Sequence, residues 1–207
     1  MKQIAVAPLA FAALILAACQ PPAEAPADAP AATVADAPAT APAAPAPASG
    51  PAYAPTEGLL ASNGVTFPNP GGRGTGLEVA FGRAEAEVIV TLTQFRGAAP
   101  TLSENGECGA GPLKFATWDD GLQLLFQNGA FVGWAAGSQT PRGFRTNSGI
   151  GIGSTQAQLR AAHPGVEIAV SSLGPEFGAD DVYGLFSGST PTATVTNLWA
   201  GVSCNFR

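Results

Sequence analysis

One histidine and three cysteines are the residues of this 207-residue chain best suited to chemistry, and their surroundings decide which chemistry is open to them. His163 stands directly before Pro164-Gly165, at the expected end of a helix. A donor or cation there helps satisfy the last helical carbonyls. A hydrolytic triad needs a base held by an acid beside a nucleophile, and no Gly-x-Ser-x-Gly elbow presents one. The run Gly149-Ile150-Gly151-Ile152-Gly153-Ser154 precedes a helix as a phosphate loop does, but it lacks the dinucleotide spacing and a lysine. Glu176, Asp180 and Asp181 lie in a glycine-bearing loop without the alternating oxygen ligands of a calcium site. Arg142 and Arg145 read as solubilising charge or a surface contact. Cys108 and Cys204 are suited to a disulfide in an oxidising compartment, which would stabilise the fold by roughly 4–5 kcal/mol in the chain-entropy model. The expectation is a chain with no catalytic residue, no metal and no cofactor.

The third cysteine has a different setting. Lys2 precedes an apolar run from Ile4 to Leu16, which has the length of a secretory signal and is too short to span a bilayer. It ends in Leu16-Ala17-Ala18-Cys19, which resembles the lipobox of bacterial lipoproteins. The resemblance implies cleavage before Cys19, acylation of its thiol, and membrane attachment through the two or three chains that stable anchoring needs. It also implies the cell envelope. In a Gram-negative host Gln20, which is not the retention aspartate, favours the periplasmic face of the outer membrane. From Gln20 to Glu57 the chain is mostly Ala and Pro, which cannot propagate a helix or bury a core. As polyproline II this disordered linker would reach on the order of 100 Å at ~3.1 Å per residue.

The remaining residues, 58–207, are the size of one domain. Over the whole chain Lys and Arg number 9 against 15 Asp and Glu, for a net charge of −6. With no basic cluster, nucleic acid and an anionic membrane face are poor electrostatic partners.

A weak self-similarity organises this part. Leu77-Glu78-Val79-Ala80-Phe81-Gly82 leads into an amphipathic stretch over 83–96, and Ile150-Gly151-Ile152-Gly153 leads into another over 154–163. Each half ends in a similar apolar phrase, Phe131 to Gly137 and then Val195 to Gly201. Val88, Ile89, Leu92 and Phe95 form a helical stripe that Gly97 stops. Thr155 and Gln158 have capping-box spacing, Leu159 and Ala162 supply the buried side, and Pro164-Gly165 end that helix. Strands are expected over 113–119, 122–127, 130–136, 166–171, 182–186 and 194–206, while the glycines of 71–76 read as a flexible lead-in. The predicted fold class is α+β: two tandem units, 58–143 and 144–207, each a helix packed on an antiparallel meander. They follow a signal peptide (1–18) and the lipidated linker (19–57).

Two-residue turns at Asp120-Gly121 and Asn128-Gly129 would pair Trp118 with Gln123 and Gln123 with Trp134. Phe115, Phe126 and Phe131 would then meet the helix. Trp118, Gln123, Leu125, Val132 and Trp134 would lie on the opposite, open face, joined by Trp199 from the second half, where Leu198, Ala200 and Val202 would point to the core. A one-residue slip at either turn would exchange the faces. In plan, and in the phrase Ile150-Gly151-Ile152-Gly153-Ser154-Thr155 with Leu159 following, the chain resembles the β-lactamase inhibitor protein and the SmpA/OmlA-type outer-membrane lipoproteins. The first resemblance implies an aromatic sheet face that grips another protein. The second, whose members have one unit and no alanine-proline tether, implies a part in outer-membrane assembly. The expected partner is thus a protein or another envelope component, and the rival expectation is a structural spacer.

Overall fold

The computed structural model describes residues 56–71 and 73–204. The signal segment, Cys19 and nearly all of the Ala/Pro linker lie outside the described residues, as do the last two positions of the expected 194–206 strand. The described chain is α+β and mostly antiparallel sheet. Strands β1 (Glu57–Ala61), β2 (Gly64–Phe67) and β3 (Leu77–Ala80) precede helix α1 (Glu85–Arg96). Next come β4 (Thr101–Asn105), β5 (Leu113–Thr117), β6 (Leu122–Gln127), β7 (Ala130–Ala136) and β8 (Gly143–Arg145). Helix α2 (Gln156–Ala162) then leads to β9 (Ile168–Ser171), β10 (Gly174–Ala179), β11 (Val182–Phe186) and β12 (Val195–Gly201). No described helix is long and apolar enough to cross a membrane.

The helices end where their local chemistry dictates. In α1, Val88 and Leu92 are buried, and Ile89 and Phe95 pack against the same core. Glu85 and Glu87 occupy the first turn, Arg96 the last, and Gly97 closes the helix at φ 66°. That left-handed conformation costs glycine little. In α2 the hydroxyl of Thr155 accepts from Gln158 N at 3.1 Å, and Thr155 N donates to Gln158 Oε1 at 2.7 Å. Leu159 is buried, but Ala162 faces solvent, because the helix ends before a second turn reaches the core. Thr155→Ala should therefore cost about 1 kcal/mol. Urea denaturation of the variant beside the parent checks this.

The strands form two sheets. The larger has the order β4-β5-β6-β7-β12-β11-β10-β9 and is antiparallel throughout. The smaller has the order β3-β2-β1-β8, with β8 parallel to β1. This second sheet was not expected from the sequence. Its core contacts are Leu60, Val65, Phe67 and Val79, all essentially inaccessible. One layer of the core is the large sheet, and both helices and the small sheet supply residues to the other side. Trp134 joins the two sheets directly: its indole N–H donates to the Ala61 carbonyl at 2.7 Å.

Turn length sets which side chains enter this core. Asn128 (φ 52°) and Gly129 (φ 76°) make the expected two-residue turn, with Gln127 opposite Ala130. The preceding turn differs. Thr117, not Trp118, pairs with Gln123, and Trp118 N donates to Leu122 O. The loop is therefore Asp119-Asp120-Gly121, with Gly121 alone at positive φ (79°). Asp120 is held there by its own side chain, which accepts from Leu122 N and from Arg96. One residue of slip exchanges the faces of the flanking strand. The expected open-face position of Trp118 is thus corrected, and that of Trp134 is corrected by a separate irregularity between β6 and β7. Both lie in the core with the helices, Trp118 4% and Trp134 0% exposed, and Trp134 is opposite Leu124. Phe115, expected beneath the helix, pairs with Leu125 and lies on the other face. The Asn128-Gly129 turn keeps Phe126 opposite Phe131, as expected, and an irregularity at Leu125/Phe126 then shifts the rest of β7 by one residue, which turns Trp134 into the core. In β12, Leu198 and Ala200 reach the core as expected. Val202 does not, because Gly201 at φ 72° interrupts the alternation and turns it to the other face.

Candidate binding face

On the side of the large sheet away from the helices, alternation from β5 to β12 gathers Phe115, Gln123, Leu125, Val132, Ala135 and Trp199. Four of the six residues assigned to a face from sequence, Gln123, Leu125, Val132 and Trp199, therefore share one. Trp118 and Trp134 do not join them. The neighbouring strand β11 adds Tyr183 and Leu185, which the sequence did not single out. Their signal was the strand itself, whose alternation places them beside Trp199 once β11 is paired with β12.

Tyr183 and Trp199 are direct cross-strand partners, with ring centroids 6.2 Å apart and planes inclined by 19°. Cross-strand aromatic pairs of this kind stabilise a sheet face by about 0.2–1 kcal/mol. The tyrosine ring also lies over Gly178 on β10, where an added Cβ would approach Tyr183 Cδ1 to 3.0 Å. Trp199 is only 6% exposed, so it forms a wall, whereas Tyr183 is 38% exposed and presents an apolar surface to solvent. Gln123 is oriented by a 2.9 Å bond from its Nε2 to Thr117 Oγ1.

Between these side chains is a depression of about 270 Å³, lined by Phe115, Gln123, Leu125, Ala135, Asn197 and Trp199 among others. None of its lining residues carries a charge. One rim is fixed covalently, since Cys108 and Cys204 form a disulfide across 96 positions with Cα atoms 4.9 Å apart. Together with Leu113 and Leu125 it makes a small apolar cluster on this face, apart from the main core. The arrangement can bind an uncharged surface through apolar contact, with the amides of Gln123 and exposed Asn197 for hydrogen bonding.

The other candidates resolve into local structure. In the glycine run before α2, Gly153 N donates to Val195 O, Ser154 N to Gly151 O and Gln156 N to Ala193 O. Those N–H groups hold the chain itself. Arg145 donates to Gly149 O at 2.9 Å in the same loop. Asp180 and Asp181, at φ 50° and 60°, are the two central residues of the β10–β11 hairpin. Among the described residues no cluster of His, Cys, Asp and Glu has the makings of a metal site. His163 stands at the C-terminal cap of α2, where its backbone N–H donates to Leu159 O, but its ring, expected to serve the last helical carbonyls, has two other partners. Nε2 lies 2.8 Å from Ser148 Oγ and Nδ1 lies 3.5 Å from Asp180 Oδ2.

No protein-family model, no curated protein and no solved structure matches this chain.

Proposed function

We propose that this protein is a lipid-anchored module of a bacterial cell envelope that binds a protein partner on the open face of its large sheet. In this reading Cys19 carries the lipid, the Ala/Pro linker holds the domain off the membrane, and the face around Trp199 engages an uncharged loop of the partner. The observation that carries the reading is the depression beside the Tyr183–Trp199 pair, uncharged, walled by aromatic and aliphatic side chains with amides between them, and with no described helix over it. An uncharged groove does not oppose a neutral segment with desolvated charge, and aromatic residues are enriched where proteins bind one another.

The strand order supports a tandem organisation of the two halves. Helix α1 is followed by the meander β4–β7 and α2 by the meander β9–β12, and the two meanders adjoin through their last strands. This supports the likeness in plan to the β-lactamase inhibitor protein, whose open face binds its target.

The test is crosslinked capture from envelopes of the native host, with the full chain as bait beside a Gln123→Arg/Asn197→Arg version. Both changes place charge in the groove and leave the core untouched, which circular dichroism verifies. A partner captured by the parent and depleted at least tenfold with the double variant is the expected result, since each buried unpaired charge costs well over the ~1.4 kcal/mol of a tenfold change. Equal capture by both baits sinks the proposal. If shortening 20–57 alone abolishes function, the spacer role takes its place.

A further inference from the structure

On the helix side of the large sheet, remote from the open face, three side chains from separate loops converge on one histidine. Ser148 comes from the turn 146–149 after β8, His163 from the end of α2, and Asp180 from the β10–β11 hairpin. Ser148 Oγ is 2.8 Å from His163 Nε2, and Asp180 Oδ2 is 3.5 Å from His163 Nδ1. With a carboxylate facing Nδ1, the ring proton is stabilised there and Nε2 is left to accept from the serine hydroxyl. The order nucleophile, Nε2, Nδ1, carboxylate is that of a general-base relay. Thr146 Oγ1 accepts from Ile150 N and lies 2.9 Å from Ser148 Oγ, so it can donate to that oxygen and fix it in place.

The relay opens on a cavity. A pocket of about 60 Å³ is lined by Ser148, His163 and Asp180 together with Leu60, Ile150, Phe177, Val182 and Leu198. Its inner wall is core, so it is apolar, and its size suits a short acyl group. Asn147, next to the serine and lining the same pocket, carries an amide N–H of the kind that stabilises an oxyanion. The His163 side chain is 16% exposed and Asp180 is 82% exposed. The carboxylate is thus largely hydrated, and it positions the ring without supplying a strong buried field.

We propose that Ser148, His163 and Asp180 form a hydrolytic centre for esters of short acyl groups. Ser148 Oγ bonds to the acyl carbon as its proton passes to His163 Nε2. The ester C–O bond breaks and the alcohol leaves with that proton. Water, deprotonated by the same nitrogen, then attacks the acyl carbon and releases the carboxylic acid, restoring Ser148. Ser148 and His163 are the catalytic residues, and Asp180 is a positioning residue.

The experiment uses the full chain with p-nitrophenyl acetate as the probe, following nitrophenolate release and locating the acetyl group by mass spectrometry after rapid quenching. The expected result is an acetyl group on Ser148, with turnover falling by about 100-fold or more in S148A and in H163Q. D180N should lower kcat by roughly tenfold with KM nearly unchanged, the pattern of a lost transition-state contribution. Ser148 is exposed in its turn, so S148A should retain the parent's circular dichroism, and V90A on the exposed side of α1 should leave turnover unchanged. The proposal is overturned by S148A turning over as fast as the parent, by acetyl on a lysine or on His163 alone, or by no turnover above that of free imidazole.

Discussion

Trp134→Ala should be among the most destabilising single substitutions in this domain, at about 3–5 kcal/mol for the cavity alone. Its side chain is fully buried between the large sheet and the small one. The substitution also strips the Ala61 carbonyl of the indole N–H that meets it at 2.7 Å. Leaving such an acceptor without a partner adds about 1–3 kcal/mol where water cannot replace it. A total of that order approaches the whole stability of an ordinary domain, roughly 5–15 kcal/mol. The measurement is urea or thermal unfolding of the variant, with Trp134→Phe beside it. Phenylalanine refills much of the volume but cannot donate, so it should recover more than half of the loss. A Trp134→Ala protein within 1 kcal/mol of the parent would put this tryptophan back on the open face, against the ~3 kcal/mol minimum expected of a core site.

Asp120→Ala should cost about 3–5 kcal/mol, because it strands a buried cation. The Arg96 guanidinium is 95% removed from solvent by the rings of Trp118, 4.9 Å away, and Phe67, 5.7 Å away. Its Nη2 meets Asp120 Oδ2 at 2.6 Å, while Nε and Nη1 have no hydrogen-bond partner among the described residues. The aromatic faces offset part of the desolvation, each by about 0.5–2 kcal/mol, but they do not replace the carboxylate. The telling comparison is Arg96→Met/Asp120→Ala, which removes both charges and keeps an apolar chain against the rings. It should be markedly more stable than Asp120→Ala alone, and a double-mutant cycle by denaturation measures the coupling. If the double variant is no better than the single, the loss belongs to the turn, where Asp120 Oδ1 also accepts from Leu122 N.

The same aspartate shows why one part of the architecture could be read from sequence and another could not. The helices were legible because their ends are local: Gly97, the Thr155/Gln158 box and Pro164-Gly165 each act within a turn of chain. Asn128-Gly129 was legible for the same reason. Asp120-Gly121 was not, because the dipeptide suits a two-residue loop and a three-residue loop equally, and the choice depends on Arg96, 24 positions earlier. That slip carried Trp118 to the wrong face, and the irregularity at Leu125/Phe126, which no turn dipeptide announces, did the same for Trp134. The small sheet was hidden for a further reason. Its strands are short, three of the four carry glycine, and β1 finds its parallel neighbour β8 only across the intervening meander, Glu57 opposite Gly143. The convergence of Ser148 and Asp180 on His163 is likewise tertiary, since the three come from separate loops and no spacing among them announces it.

The position of β1 has a mechanical consequence. A pull arriving from the N-terminal side enters the described domain at this strand, which lies inside its sheet, hydrogen-bonded to β2 on one flank and to β8 on the other. Tension directed along β1 therefore loads both ladders at once, in shear. Peeling, in which bonds break one after another, would require an edge strand. The Trp134 indole, bonded to the last residue of β1, passes part of that load into the large sheet. The point at which the domain would be tethered is thus also a point at which it resists being drawn open.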